Sequence, residues 1–208
     1  MKTALEMPEL KVAWVPVNLR NRIPLVANGT VDISCESAVN TIGRQSQVDF
    51  SNPFFISHTR FLVKDGSGIA ELTDLDGKSI ALSINSVPER LIKSLLERDN
   101  LNVRIVPVKD NSEGFLALQT GRADAFSTDD ILLFGLKNKA VDPTAYEVVG
   151  KPLSYDSYGF LVQKNSTVFL TIVNATLARL SRDGEQSLTV WSETMIHELP
   201  TYQRPCAD

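Results

Sequence analysis

The sequence predicts an α/β protein with parallel β-strands, and three features of its patterning support this. Short apolar runs alternate with amphipathic stretches from residue 10 onward, the pattern of strands joined by crossover helices. The central part predicts three strand–helix units in succession. Extended stretches over Thr59–Lys64 and residues 158–162 flank that block. They predict one lobe inserted into another, with two crossings and a ligand between the lobes, near the carboxyl ends of the strands.

The first predicted elements form a short strand–helix–strand unit. Residues 11–17 (KVAWVPV) predict a strand that Pro16 ends, and residues 20–28 predict a helix that Gly29 stops. Residues 31–34 (VDIS) predict the next strand. Because a helical crossover joins parallel strands, these two strands are expected to be parallel.

The central block carries clear start and stop signals. Ser79–Ser83 predicts a strand, and Ser86 is the expected N-cap of a helix over residues 88–99, with Glu89 placed for a capping box. The later elements are predicted as strands over residues 103–108, 123–128, Tyr146–Val149 and 158–162, helices over residues 112–120 and 170–182, a helix directly after residues 129–130, and an irregular tail from residue 199.

Composition and charge exclude several protein classes. The chain has 208 residues, and at roughly 100–200 residues per domain this allows one large domain or two small lobes. With 43 % hydrophobic and 22 % charged residues, disorder, collagen and coiled coil are excluded as the main state. A net charge of -4 without a basic patch gives no indication of a nucleic-acid partner. No apolar run reaches the roughly 18 residues needed to cross a bilayer.

The cysteines, histidines and N-terminus give weaker indications. Cys35 and Cys206 are far apart and are expected to be unpaired thiols, with a disulfide as the alternative in an oxidising compartment. His58 and His197 lack metal-spaced partners, so no metal or cofactor is expected. Residues 1–4 are not followed by the apolar segment of a signal peptide. The chain is therefore expected to be cytoplasmic, or a mature or truncated form.

No familiar catalytic motif is present, so no catalytic residue is predicted. The sequence lacks GxSxG, HExxH, P-loop and GxGxxG patterns. Asp74 and Asp76 fall in a turn and are expected to be solvated. Asp129 ends a predicted strand, where a parallel sheet places ligand-facing residues, and its carboxylate suits an ammonium group. The alternative is that Asp129 or Asp130 only caps the following helix.

Two arginines and one helix start are candidate anion sites. Arg44 follows the strand that ends near Ser34, and its guanidinium could bind a carboxylate through two parallel hydrogen bonds. The alternative is an exposed surface arginine. Arg22, at the start of the first helix, is a weaker candidate. Ser86 and the N–H groups of the next helix offer an anion-binding site, although most helix starts bind no ligand.

Six ordered sequence blocks, between about residue 5 and about residue 191, match one known family. They are NRIPLVANGTVDISCES, GRQSQVDFSNPFF, HTRFLVK, LDGKSIALS, GRADAFSTDDILL and EVVGKP. With them the chain resembles the periplasmic amino-acid-binding proteins of ABC importers. NRIPL, VDISC and the DDxLL stretch resemble the glutamate/aspartate-binding subgroup in particular.

The resemblance implies a two-lobed periplasmic-binding-protein-like fold with two crossover strands. Lobe 1 is expected over residues 1–63 and 156–208, and lobe 2 over residues 64–155. The family has a signal peptide, a first strand and a first helix before the point where this chain starts, so lobe 1 is expected to be incomplete. The implied function is to carry a free amino acid, glutamate or aspartate, to the membrane subunits of an ABC permease in the periplasm, without catalysis or membrane insertion.

The resemblance also implies roles for individual residues. Arg44 would bind the α-carboxylate of the ligand, assisted by the helix start at residues 86–87. Asp129 and Ser37 would hold the α-ammonium group. Arg22 would pair with the side-chain carboxylate of an acidic ligand.

Four positions depart from the subgroup pattern. Asn111 stands where the subgroup has a ligand-binding histidine, and Val87 stands where it has a hydroxyl. Leu19 and Val39 replace small polar residues expected near the ligand. Since each missing hydrogen bond to a charged group costs roughly 1–3 kcal/mol, these changes predict weaker binding of an acidic side chain.

Two alternative functions use the same scaffold. An enzyme, such as a cyclohexadienyl-type dehydratase, would need a general acid, for which Glu36 and Glu113 are the candidates. A ligand-sensing module would be fused to a signalling domain. Both remain open at this stage, because a fold does not determine a function.

Overall fold

A computed structural model of the chain describes residues 7–182, which divide into two units. Unit 1 comprises residues 7–56 and 156–182, and unit 2 comprises Ser57–Tyr155. In chain order the elements are α1 (Arg22–Ala27), β1 (Ile33–Ser34), α2 (Ile42–Gln45), β2 (Val48–Phe50), β3 (Phe55–Ser57), β4 (Thr59–Lys64), β5 (Ser79–Ser83), α3 (Val87–Arg98), β6 (Arg104–Val108), α4 (Asn111–Gln119), β7 (Ala125–Asp129), α5 (Asp130–Asn138), β8 (Tyr146–Val149), β9 (Asp156–Tyr158), β10 (Leu161–Gln163) and α6 (Thr167–Arg182).

Unit 1 is built on a three-stranded antiparallel sheet in the order β1-β10-β2. Strands β3 and β9 form a separate two-stranded sheet. Helix α6 covers the three-stranded sheet with Val173 and Leu177, which pack against Phe160 and Val162. None of the described helices is long and apolar enough to cross a bilayer.

The predicted parallel strand–helix–strand unit at the start of the chain is wrong. Residues 11–17 form no strand, and Val12, Trp14 and Val15 are exposed. Strand β1 pairs antiparallel with β10, placing Ile33 opposite Val162. A stretch with strand composition becomes a strand only where a partner strand and a buried face are available. The helix of this unit is confirmed as α1.

Cys35 corrects the expectation of two unpaired thiols, because it is disulfide-bonded. Its side chain is half-buried and packs against the cluster beneath α6. The only other cysteine of the chain is Cys206. That residue and the tail predicted to be irregular from residue 199 lie outside the described residues.

Unit 2 confirms the predicted succession of strands and helices. Its five-stranded sheet has the order β6-β5-β7-β4-β8, and β5 is parallel to both β6 and β7. Strand β4 runs antiparallel to β7 and β8, so the sheet is mixed. Residues 59–63 of β4, which were expected in lobe 1, are hydrogen-bonded into this sheet. Helix α3 packs Ile92 and Leu96 against Ile80 and Leu82 of β5.

The predicted strand over residues 158–162 is two strands, because the chain changes partners at Gly159. On one side of it, β9 belongs to the two-stranded sheet, and on the other side β10 lies between β1 and β2. Ser51 stabilises this change of partner, since its Oγ accepts from the N–H of Phe160 at 2.9 Å. A side chain at Gly159 would press against the carbonyl oxygen of Ser51, which explains the glycine.

Gly114→Ala is expected to lower the free energy of unfolding by about 1–3 kcal/mol through overpacking. A Cβ on Gly114 of α4 would overlap the ring of Phe126, which is fully buried. Urea unfolding followed by circular dichroism measures the change. Gly43→Ala in α2 is the matched control, since a Cβ there meets nothing. Equal stability of both variants would contradict the close packing of α4 on β7.

Candidate functional site

Three parallel strands of unit 2 bring four predicted site residues to one edge of the sheet. Ser86 and Val87 follow the carboxyl end of β5, Asn111 follows β6, and Asp129 is the last residue of β7. The carboxyl ends of parallel strands are where α/β sheets bind ligands. The sequence-predicted candidates of the second lobe therefore share one edge.

Ser86 is confirmed as the N-cap of α3. Its Oγ accepts from the N–H of Glu89 at 3.0 Å, and the residue is buried. The reciprocal bond differs from the expected capping box, because the Glu89 carboxylate accepts from the N–H of Asn85 at 2.7 Å. Val87 is the half-buried first residue of this helix. The twelve-residue helix directs its positive dipole end to this edge.

Asn111, at the start of α4, is hydrogen-bonded to the end of strand β5. It is the first residue of α4, and its Oδ1 accepts from Ser83 Oγ at the end of β5 over 3.3 Å. The N-cap is Asp110, which accepts from the N–H of Glu113 at 2.9 Å. Since Oδ1 accepts the Ser83 bond, the side-chain NH₂ is the group of Asn111 that could donate to a ligand acceptor.

Asp129 is buried at the end of β7, opposite Thr59 of β4. It occupies the N-cap position of α5 but makes no side-chain capping bond. The alternative that Asp129 caps the helix is therefore wrong. A buried carboxylate at a helix start, next to the edge with Ser86 and Asn111, is suited to a cationic group.

Asp130 anchors the start of unit 2 rather than the ligand edge. Its Oδ1 accepts from Ser57 Oγ at 2.7 Å, from the His58 N–H at 3.3 Å and from the Ile131 N–H at 2.8 Å, and Oδ2 lies 3.1 Å from His58 Nδ1. Burial acts to raise the pKa of Asp130, but the hydrogen bonds from Ser57, His58 and Ile131 outweigh it and lower the pKa. The sequence indicates Asp130 only as an alternative cap.

Asp130→Asn is expected to lower the free energy of unfolding by about 1–2 kcal/mol at pH 7, because hydrogen bonds to a partly exposed charge are lost. The pKa of Asp130 is lower in the folded state, so its stabilisation is present above the unfolded pKa of about 3.9 and is lost as pH falls through the folded value. Urea unfolding at pH 7 and pH 3 measures this. Asp65→Asn, at an exposed turn, controls for net charge. An equal destabilisation at both pH values would contradict the assignment.

Arg44 of unit 1 is buried, so the alternative of an exposed surface arginine is wrong. It lies in the four-residue helix α2, which Thr41 caps by accepting from the Arg44 N–H at 3.3 Å. Its Nη1 donates to the carbonyl oxygen of Val39 at 2.8 Å. A buried guanidinium held by a backbone carbonyl keeps a defined orientation, as a carboxylate receptor requires.

Arg22 is also buried and has a partner that sequence reasoning missed. Its Nη1 donates to Glu36 Oε2 at 2.8 Å, and Ser34 Oγ donates to Glu36 Oε1 at 2.9 Å. Both side chains of the ion pair are almost fully buried. Ser37 follows directly and is half-buried. Arg22 and Glu36 are fourteen positions apart, which leaves no local spacing signal for this pair.

The predicted site residues thus fall into two sets that the structure describes separately. Unit 1 holds Arg22, Ser37 and Arg44, together with the departures Leu19, half-buried, and Val39, buried. Unit 2 holds the four residues at the sheet edge. Within residues 7–182, no cluster of three or more His, Cys, Asp or Glu side chains could hold a metal ion.

The family model and the relatives that match this chain all indicate the same protein family. Residues 1–189 match the model of bacterial extracellular solute-binding proteins, family 3. The glutamate/aspartate import solute-binding protein of Salmonella typhimurium is 39 % identical over 185 residues, covering 89 % of this chain and 61 % of the relative. The L-glutamate/L-aspartate-binding protein of Pseudomonas aeruginosa is 40 % identical with the same coverage. The chain thus spans about three-fifths of the length of these relatives.

Solved structures show the same α/β amino-acid-binding fold with mixed sheets. An ancestral arginine-binding protein bound to arginine superposes with a TM-score of 0.80 at 27 % identity, covering 92 % of this chain and 82 % of that one. An amino-acid ABC transporter substrate-binding protein from Streptococcus pneumoniae, bound to L-arginine, has a TM-score of 0.80 at 21 % identity, covering 94 % and 79 %. At that identity the second likeness shows the fold alone.

Proposed function

Because the chain belongs to the bacterial extracellular solute-binding proteins, family 3, we propose that it is the solute-binding component of an amino-acid ABC importer, with glutamate or aspartate as its ligand. The names of the Salmonella and Pseudomonas relatives support this ligand class. In this proposal the protein acts in the periplasm and delivers the amino acid to the membrane subunits of a permease.

The proposed lobes are the two units, between which the chain crosses twice. The ligand is bound by residues of both units and so stabilises a closed state over an open one. Such a hinge motion is a two-state change that ligand contacts bias. The permease reads the closed state, which makes the solute-binding protein a reporter of occupancy rather than a catalyst.

The single observation that supports this function most strongly is the pair of buried, oppositely charged candidates, Arg44 and Asp129. A guanidinium can bind a carboxylate through two parallel hydrogen bonds, and a carboxylate can accept hydrogen bonds from an ammonium group. A free amino acid presents a carboxylate and an ammonium group, which match these two side chains. Arg44 is the proposed partner of the α-carboxylate, and Asp129, with Ser37, is the proposed partner of the α-ammonium group.

The remaining candidates complete the proposed site. The helix start at Ser86 and Val87 assists Arg44 at the α-carboxylate through the positive dipole end of α3. Asn111 offers its NH₂ group to a ligand oxygen. Arg22 is the proposed partner of the ligand side chain, where its ion pair with Glu36 bears on selectivity.

The enzyme alternative finds little support in its two candidate acids. Both Glu36 oxygens accept hydrogen bonds, from Arg22 and Ser34, so this side chain is already engaged within unit 1. The Lys109 N–H and the Arg122 guanidinium lower the pKa of Glu113 despite the opposing effect of burial. A general acid needs a proton near neutral pH and hence a raised pKa.

A thermal-shift screen of the full chain against the twenty amino acids tests the proposal. At a ligand concentration of one hundred times Kd, binding stabilises the folded state by about 2.7 kcal/mol, which corresponds to a rise in Tm of about 5–10 °C at this chain length. Glutamate or aspartate is expected to give this rise, and sodium chloride at matched ionic strength none. No shift with any amino acid would contradict the proposed function.

A further inference from the structure

The ion pair between Arg22 and Glu36 occupies a residue proposed to meet the ligand side chain. Arg22 Nη1 donates to Glu36 Oε2 at 2.8 Å, and the two side chains are only 4 % and 1 % exposed. The guanidinium charge is therefore neutralised within unit 1, before any ligand arrives. The neutralisation matters for selectivity between ligands. It weakens the electrostatic attraction for a ligand with an acidic side chain, whereas a ligand with a neutral side chain does not depend on that attraction.

The Glu36 carboxylate is fixed in place on both oxygens. Ser34 Oγ donates to Oε1 at 2.9 Å while Arg22 holds Oε2. Its backbone is fixed as well, since the Glu36 carbonyl oxygen accepts from the Ala38 N–H at 2.8 Å. A carboxylate held on both oxygens, on a backbone that is itself hydrogen-bonded, does not swing away from Arg22 without losing these bonds.

Arg22 keeps donor capacity beyond this pair. Its Nε–H is shielded from solvent and has no hydrogen-bond acceptor among the described residues. Buried N–H groups in folded proteins nearly always have an acceptor, from protein, water or ligand. The guanidinium thus offers a hydrogen bond to an incoming oxygen, although its charge is already compensated.

An amide suits this ion pair better than a carboxylate does. A ligand amide oxygen can accept from Arg22, and the amide NH₂ can donate to Glu36. A ligand carboxylate has only acceptors, and two carboxylates on one guanidinium lie about 4–6 Å apart, the range in which like charges disfavour each other. The buried setting provides little screening by solvent.

We infer that Glu36 is a specificity-determining residue that weakens binding of an amino acid with a side-chain carboxylate relative to the matching amide, by occupying the guanidinium of Arg22. This inference rests on the proposed function. It predicts that the chain discriminates weakly between glutamate and glutamine, and that removing the Glu36 charge restores a preference for the acid.

Isothermal titration of the full chain with L-glutamate and L-glutamine tests the inference. The wild-type protein is expected to bind both with Kd values within about tenfold of each other. Glu36→Gln is expected to shift the Kd ratio at least tenfold toward glutamate, about 1.4 kcal/mol. Asp49→Asn is the matched control: it removes one carboxylate from a 2.7 Å ion pair with Lys164 in the same unit and is expected to leave the ratio unchanged.

The wild-type Kd ratio keeps the test decisive if Glu36→Gln does not fold, which circular dichroism reports. A wild-type preference for glutamate above a hundredfold, or a Glu36→Gln ratio equal to that of Asp49→Asn, overturns the inference while leaving the proposed function intact. Absence of binding of any amino acid overturns the proposed function and the inference with it.

Discussion

Arg44→Ala is expected to weaken binding of L-glutamate by about a hundredfold to a thousandfold, equivalent to about 3–4 kcal/mol for two hydrogen bonds to a charged group. The physical reason is that Arg44 is a buried guanidinium, which we propose as the receptor of the α-carboxylate. Isothermal titration measures the loss. Arg44→Lys is expected to retain part of the binding, because a lysine keeps the charge but not the planar fork of donors.

Two controls separate this loss from a loss of fold. Arg20→Ala removes an exposed arginine of the same unit and is expected to bind glutamate as the wild type does. The unliganded Tm of Arg44→Ala shows how much stability goes with the bond to the Val39 carbonyl. If a folded Arg44→Ala protein binds glutamate within about threefold of the wild type, an effect below 1 kcal/mol, Arg44 is not the receptor of the α-carboxylate.

Asp129→Asn is expected to weaken glutamate binding by about thirtyfold to a thousandfold, equivalent to about 2–4 kcal/mol. The substitution keeps the size of the side chain and removes the negative charge proposed to hold the α-ammonium group. The loss should be absent for glutarate, which has both carboxylates but no ammonium group. Comparing the Kd values of both ligands for wild type and variant isolates the ammonium contact.

The matched control for Asp129→Asn is Asp65→Asn, which removes an exposed carboxylate of the same unit. It changes net charge equally and is expected to leave both Kd values unchanged. A result in which Asp129→Asn weakens glutarate as much as glutamate would show that Asp129 acts on the fold of the site, and the ammonium role would be wrong.

Unit 2 was largely predictable from the sequence because its signals are local. Strand β5 was predicted with its observed bounds, since the turn at Asp76 and Gly77 marks its start, and Ser86 marks the helix that follows. The ligand edge then follows from the rule that parallel strands end together. Asp129 was located in this way without any distance information, whereas Asn111 was identified only through the family resemblance.

Unit 1 was less predictable because its structure depends on distant partners. Strand β1 pairs with β10, more than a hundred residues later, and no local pattern specifies an antiparallel partner at that separation. Helix α2, with four residues, is too short to show helical periodicity. Residues 11–17 have strand composition without a strand partner in the described part of the chain.

The candidate site also combines features that the sequence could predict with features that it could not. The residue types of Arg44 and Asp129 suggested their chemistry. The burial of Arg44 was needed to exclude the surface alternative, and the missing capping bond of Asp129 was needed to exclude its capping alternative. The partnership of Arg22 with Glu36 could not be predicted, because no sequence pattern connects the two residues. The disulfide at Cys35 was predicted only as an alternative to unpaired thiols. The ion pair compensates the charge of Arg22 within unit 1.

Titration of the wild-type chain with L-glutamate, glutarate and 4-aminobutyrate at equal ionic strength tests most directly whether Arg44 and Asp129 bind the two ends of one zwitterion. Glutarate lacks the ammonium group, and 4-aminobutyrate lacks the α-carboxylate. We expect glutamate to bind at least about a hundredfold more tightly than either analogue, a difference of about 2.7 kcal/mol. Binding of either analogue within about threefold of glutamate would contradict the account.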